Sequence, residues 1–370
     1  LKTLFYVLLD LSFNNIQILN FPTSKVYWNE YFEILKRFVD FKINFHSDPD
    51  FENDILKKVI FSIKRTRKNH YIPQGYLKAF ICSPLGERKI LVYDKERKSL
   101  IVQKGRKIEN VAYSTHFYSI RLEQTFAKFI EPQFFRVIED VIAKKSCVSL
   151  SEQEKIIILK FIFSLYLRTP DSRRHFKELT EKQLKQIYLE ILRSKGISLN
   201  HEDLSVEITD LKLRLSLEHF IHNWVNPVDP KILSVYHQYL KNEWVLIESS
   251  GTPFITSDQP VILYSHTQNE PELNVELNGY FRTSSNFRRG LLEKGIQLYF
   301  PLTPKLCLLI MSKENLSNKL IDEKIFEQIV IHSYKYLYLS YDYTDSISEI
   351  IDNNLESLNR DGKRITIKKL

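Results

Sequence analysis

The sequence predicts an α+β fold in which a central helical block packs with a mainly antiparallel sheet, the sheet being formed by the segments before and after the block. Short runs of branched and aromatic residues flank a long stretch whose apolar residues recur at three and four spacing, so strands are segregated from helices instead of alternating with them. Only nine glycines serve 370 residues, and neither GxGxxG nor GxxxxGK[ST] occurs, which removes the usual support for a nucleotide-binding architecture.

The elements follow in chain order. Trp28 to Phe45 and Phe51 to Ile63 carry helical periodicity, for example at Tyr31, Ile34, Leu35, Phe38 and Val39, and make residues 1–64 a helical appendage. Lys64 to Lys68 is a basic linker. Pro73 suits the first turn of a helix continuing from Gln74 to Ile81, since its missing N–H would be unpaired there anyway. Strands are expected at Lys89–Tyr93, Leu100–Gln103 and Thr115–Ile120. The helical block opens with Leu122–Ile142, whose apolar face holds Phe126, Phe129, Ile130, Phe134, Val137, Ile138 and Val141; Pro132 is a candidate break. Ser151 and Glu154 form a capping box for a helix from Lys155 to Arg168, which Pro170 closes. Helical periodicity resumes at Glu178–Arg193, Leu204–Trp224 and Ile232–Leu240. Strands return at Trp244–Glu248, Pro253–Ile255, Pro260–Tyr264, Ile296–Phe300 and Leu306–Met311, with the polar stretch Ser265–Arg289 between them as a loop. A helix at Ile321–Ile331 and a strand at Lys335–Leu339 complete a domain over 68–345, and residues 346–370 form an extension.

A formal charge of +8 favours nucleic acid or another anionic ligand as partner. Cys82, Cys147 and Cys307 are far apart and in no CxxC spacing, which fits a reducing, cytoplasmic setting and argues against a disulfide framework or a structural zinc site. The apolar start Leu4–Leu11 contains Asp10 and is too short for a membrane span, and it lacks a signal-peptide cleavage motif. An opening Leu points to an alternative start or an overextended reading frame. The residues set no oligomeric state.

Several motifs stand in order along the chain: Asn69-His70-Tyr71-Ile72-Pro73-Gln74-Gly75-Tyr76-Leu77-Lys78-Ala79-Phe80, Val92-Tyr93-Asp94-Lys95, Phe117-Tyr118, Ile130-Glu131, Arg168-Thr169-Pro170 with Arg173, Ser257-Asp258-Gln259-Pro260-Val261, and Pro301-Leu302-Thr303-Pro304. Together they resemble the pattern of a bacterial family, domain of unknown function 4238, over about residues 68 to 340. Gln259 stands where that family usually has Asn. The resemblance implies a shared fold and a shared site, without naming an activity.

The residue types of these motifs suggest chemistry. His70 precedes a helix whose N-terminus could hold an anion, and Gln74 lies one turn along it. Arg168 and Arg173 flank a proline corner, where guanidinium groups can grip phosphate or carboxylate bidentately or pair with acids such as Glu131 and Asp258. Glu123, Glu131 and Asp258 are candidate ligands for a divalent metal, with His70 as ligand or general base. Ser257 and Asp258 are neighbours on a strand and point to opposite faces, which argues against a nucleophile and its orienter. Two readings follow. In the first, the chain is an enzyme acting on a phosphate-bearing substrate, with a nuclease as the specific form; His70, Glu131 and Asp258 are catalytic, and Gln74, Arg168 and Arg173 bind substrate. In the second, it is a non-catalytic binding or regulatory module whose motif residues form a structural polar network.

Overall fold

The apolar run Leu306–Met311 accounts for the layering of the molecule, because all of it is buried and alternate side chains serve different cores. Leu306, Leu308 and Ile310 join the core shared with the helical block, whereas Cys307, Leu309 and Met311 join a second core on the opposite face. A strand covered on both faces reads as an unbroken apolar run.

The computed structural model describes residues 68–340 apart from 82–87, 102–104, 116, 195–207, 209, 266–290, 292–294, 314–318 and 321, together with Ile351. The expected appendage at 1–64, the loop at 265–289 and most of the extension at 346–370 therefore lie outside the described residues. The chain runs β1 (Asn69–His70), α1 (Gln74–Leu77), a 3₁₀ turn (Lys78–Phe80), β2 (Lys89–Asp94), β3 (Ser99–Leu100), β4 (Arg106–Lys107), a second 3₁₀ turn (Ile108–Asn110) and β5 (Tyr113–Ser114). The helical block follows as α2 (Ile120–Thr125), a π turn (Phe126–Ile130), α3 (Glu131–Lys144), α4 (Glu152–Leu167), α5 (Pro170–Ser194), α6 (Asp210–Val225) and α7 (Pro230–Lys241). Then come β6 (Glu243–Glu248), β7 (Thr256–Ser257), β8 (Ile262–Tyr264), β9 (Gln297–Thr303), β10 (Leu306–Met311), α8 (Asp322–His332) and β11 (Tyr336–Leu339). All pairings between these strands are antiparallel. One sheet has the order β6-β10-β9-β8; a second, β3-β2-β11-β7 with β4 beside β2, joins segments from before and after the helical block; β1 and β5 form a separate ribbon. No helix among the described residues is long and apolar enough to cross a membrane.

Several expected elements change form, each for a local reason. The helix at Gln74–Ile81 is a single α turn followed by a 3₁₀ turn, with Pro73 as its N-terminal boundary residue. Thr115–Ile120 is not a strand: Phe117 and Tyr118 sit in irregular backbone held by side chains, and α2 begins at Ile120. Pro253–Ile255 is likewise irregular, and the strand there is Thr256–Ser257. Pro132 does not interrupt the helical run. The π turn immediately before it lengthens the hydrogen-bond spacing where an α-helix would set the proline ring against a carbonyl. That turn also shifts the apolar face, leaving Phe129 exposed while Phe126, Ile130 and Phe134 stay buried. α4 ends at Leu167 with Arg168 as its boundary residue, ahead of Pro170 as expected, but the proline also opens the next helix. It occupies the first position of α5, where its missing N–H has no helical partner to lose, and Thr169 Oγ1 accepts from Ser172 N at 3.3 Å as the cap. The Ser151–Glu154 capping box forms as the sequence predicts.

Tyr76 locks three motif segments together. Its buried hydroxyl donates to Pro301 O at 2.7 Å and lies 2.9 Å from Thr256 Oγ1, while its ring stacks on Phe300 at 5.1 Å. Phe300 in turn faces Phe134 and Phe161, which stack on each other at 3.7 Å. Each such aromatic pair contributes about 0.5–1.5 kcal/mol beyond its burial. Gly75 makes this approach sterically feasible, since a Cβ there would lie 2.5 Å from ring carbons of Phe135 on α3.

Candidate functional site

At the end of β1 consecutive residues serve two polar environments: His70 feels the charges of Glu131 and Arg168, and Tyr71 that of Asp258.

On the His70 side, Arg168 ends α4 and is only 1% exposed. Its Nη1 donates to Glu131 Oε1 at 3.1 Å, and its guanidinium lies over the Phe126 ring at 4.3 Å. The π turn supplies Phe126, and Glu131 begins α3 directly after it, so one irregularity positions both partners. Among the described residues the remaining donors of the guanidinium, Nε and Nη2, are buried with no hydrogen-bond partner. Unpaired buried donors are uncommon and costly, and a cation makes them more so.

The imidazole of His70 is half-buried beside this corner. Its Nε2 lies 3.3 Å from the Glu109 carbonyl and also 3.3 Å from Gln74 Nε2. A carbonyl only accepts, so that contact selects the tautomer with hydrogen on Nε2 and leaves the Nδ1 lone pair open; the Gln74 amide cannot donate to Nε2 in that state. Arg88 orients the same amide through Nη2 at 3.4 Å and pairs with Glu109 at 3.3 Å. Burial first, then the Lys68 and Arg168 charges, pull the imidazole below its ordinary value, against the Glu109 carbonyl and Glu131, so the ring is neutral at pH 7.

Residues for which the sequence suggested no role complete the corner. Tyr118 donates its hydroxyl to His70 O at 2.7 Å, and burial holds that phenol well above its ordinary pKa. Asn69 accepts from Phe117 N at 2.9 Å and donates to Glu123 at 3.3 Å. Arg173, expected to bind substrate, donates to Phe117 O at 2.9 Å and lies over the Phe117 ring, so it clamps this segment to α5. The Phe117-Tyr118 pair was visible in the sequence as a motif. Its task, fixing the His70 backbone, depends on contacts across the fold.

On the other side, Asp258 is 1% exposed and saturated. Oδ1 accepts from Tyr334 N at 2.8 Å, and Oδ2 accepts from Lys335 N at 2.7 Å and Tyr336 N at 2.9 Å. Burial lifts this carboxyl to about 6, against those donors and the Lys95 charge. Lys95 itself is drawn down to about 8 by burial and donates to Val330 O and Ser333 O at the end of α8, both at 2.7 Å. Asp258 thus caps the turn between α8 and β11. Ser257 Oγ accepts from Gln259 N at 3.1 Å, and Gln259 Oε1 lies 2.9 Å from Thr169 Oγ1, so the residue that replaces Asn bridges to the Arg168 corner.

His70, Gln74, Glu131 and Arg168 therefore come together, while Asp258 and Arg173 serve other contacts. The one-turn helix after Pro73 offers no dipole of consequence for an anion. Glu123, Glu131 and Asp258 do not converge on an ion: among the described residues no group of three or more His, Cys, Asp or Glu side chains could hold a metal. Cys147 and Cys307 are free and buried, and Cys82 lies outside the described residues.

These features define an α+β protein whose motif segments close around a buried, half-paired guanidinium beside a neutral imidazole. The chain belongs to the DUF4238 family, described as a protein of unknown function, whose model matches residues 68–360. No curated protein and no solved structure matches it.

Proposed function

We propose that the protein is an enzyme acting on a phosphate-bearing substrate, with nucleic acid as the favoured form of it. The observation that carries this reading is Arg168, a buried cation with two donors unpaired among the described residues, whose charge reaches the neutral imidazole of His70. Arg168 anchors the phosphate through paired N–H donors, and the low-dielectric corner strengthens that attraction. His70 takes a proton from the attacking hydroxyl or water through Nδ1, while the Glu109 carbonyl holds the other ring nitrogen in its donor form. Glu131 fixes the guanidinium by occupying Nη1, and Gln74 stands beside the ring. The net charge of +8 supports a polyanionic substrate. The test is phosphodiesterase activity on single-stranded DNA and RNA, assayed with and without Mg²⁺ or Mn²⁺. His70→Ala should lose about 10²–10⁴ in rate while melting like wild type. Equal rates in wild type, His70→Ala and Arg168→Met would remove the proposal. Because the His70 pKa is lowered, the base form persists below pH 6.5, so the acid limb of the rate profile should fall below that value.

The tie between Tyr118, Asn69 and Glu123 favours a second reading, a binding or regulatory module in which the motif residues form a structural network. In that case every alanine variant at the corner lowers the melting temperature, and no folded variant loses a turnover that wild type possesses.

A further inference from the structure

We infer that the Arg168 corner selects a singly charged phosphodiester and discriminates against a phosphomonoester dianion; this rests on the reading of the site as a phosphate site. The two orphaned donors are Nε and Nη2, which share one edge of the guanidinium plane and point the same way. That edge presents two parallel N–H bonds spaced to meet two oxygens of one phosphate. Glu131 holds Nη1 on the neighbouring edge, which leaves the fork unpaired while the guanidinium is pinned between a carboxylate and the Phe126 face.

The surrounding charges set how much negative charge the fork can take. Lys68, Arg168 and Glu131 act on the His70 ring, and Arg168, Glu123 and Glu131 act on the Tyr118 hydroxyl. With His70 neutral, two cations and two carboxylates cancel before any ligand arrives. Lys68 is exposed, so solvent screens its charge: its ammonium donates to Asn110 at 3.1 Å and lies over the Tyr113 ring at 4.4 Å. The Tyr118 hydroxyl is spent on the His70 carbonyl. A diester brings one negative charge to the fork. A monoester dianion brings a second, and taking that extra charge out of water into a buried corner whose charges already balance costs more than the single fork returns, so the monoester binds about tenfold or more weakly.

The experiment is calorimetric titration at pH 8 with methyl phenyl phosphate and phenyl phosphate, a diester and a monoester sharing the aryl group; at that pH the monoester is a dianion, since its second pKa is about 6. The diester should bind wild type about tenfold more tightly or better. Glu131→Gln keeps the shape and removes one negative charge, so it should narrow the ratio by strengthening the monoester. Arg168→Met should bind neither. Equal or tighter binding of the monoester to wild type overturns the selectivity and leaves the phosphate site standing, as does a ratio unchanged in Glu131→Gln. Failure of both ligands to bind wild type overturns the site itself.

Discussion

Asp258 and Arg168 are both ionic side chains with 1% exposure, yet their surroundings could hardly differ more. Asp258 receives three backbone N–H groups and faces an ammonium; Arg168 has one carboxylate and, among the described residues, two donors with nothing to bond. A buried charge that is fully satisfied holds chain segments in place. One that is half satisfied carries an energetic cost that a ligand can relieve. The motif residues therefore divide into a satisfied set around Asp258 and a half-satisfied set around Arg168, with His70 beside one and Tyr71 beside the other.

The sharpest way to break this comparison is Asp258→Ala, which strands three N–H groups and takes from Lys95 the larger of its two counter-charges, leaving Asp171. It should lower unfolding free energy by about 3–5 kcal/mol in urea titrations; a loss under about 1 kcal/mol would mean the turn does not depend on it. The same carboxyl has a pH signature. Its ordinary value of 3.8 is raised to about 6 in the fold, so between those values the native state holds a proton that the unfolded chain has released. Its contribution to stability is greatest below that window, falls as pH rises through it and is level above, and Asp258→Asn should abolish this slope. Tyr76→Phe removes the bond to Pro301 and should cost about 1–2 kcal/mol. Gln259→Asn shortens the bridge to Thr169 and should cost about 1 kcal/mol. Arg168→Met completes the contrast. An apolar side chain of similar length replaces a poorly compensated cation, so stability should stay within about 1 kcal/mol of wild type while oxyanion binding disappears.

What could be read in advance follows the range of the interactions. The Ser151–Glu154 cap joins residues three apart, and β10 is fixed by its own apolar run, so both were legible. The Phe117 clamp reaches 48 residues back to Asn69, and the Asp258 cap reaches 76 residues forward to Tyr334; neither leaves a local trace, and the alternating apolar residues of Thr115–Ile120 read as a strand. The α5 start was missed because Pro170 signals both the end of one helix and the beginning of the next. In the candidate site, the grouping of His70, Gln74, Glu131 and Arg168 was legible from residue type and motif order. The separation of Asp258 was not, since the backbone groups that claim its carboxylate lie 76 to 78 residues further along the chain.

The absent side chain at position 75 works as a spacer of fixed width. The turn that carries Gln74 rests directly on Phe135, four residues beyond Glu131 on the same helix, so the gap between the imidazole and the carboxylate is set partly by an atom that is not there. Enlarging that residue step by step, to Ala and then Ser, would push the two halves of the corner apart without altering any charge. Reactivity could then be graded by separation alone, with the chemical groups left untouched.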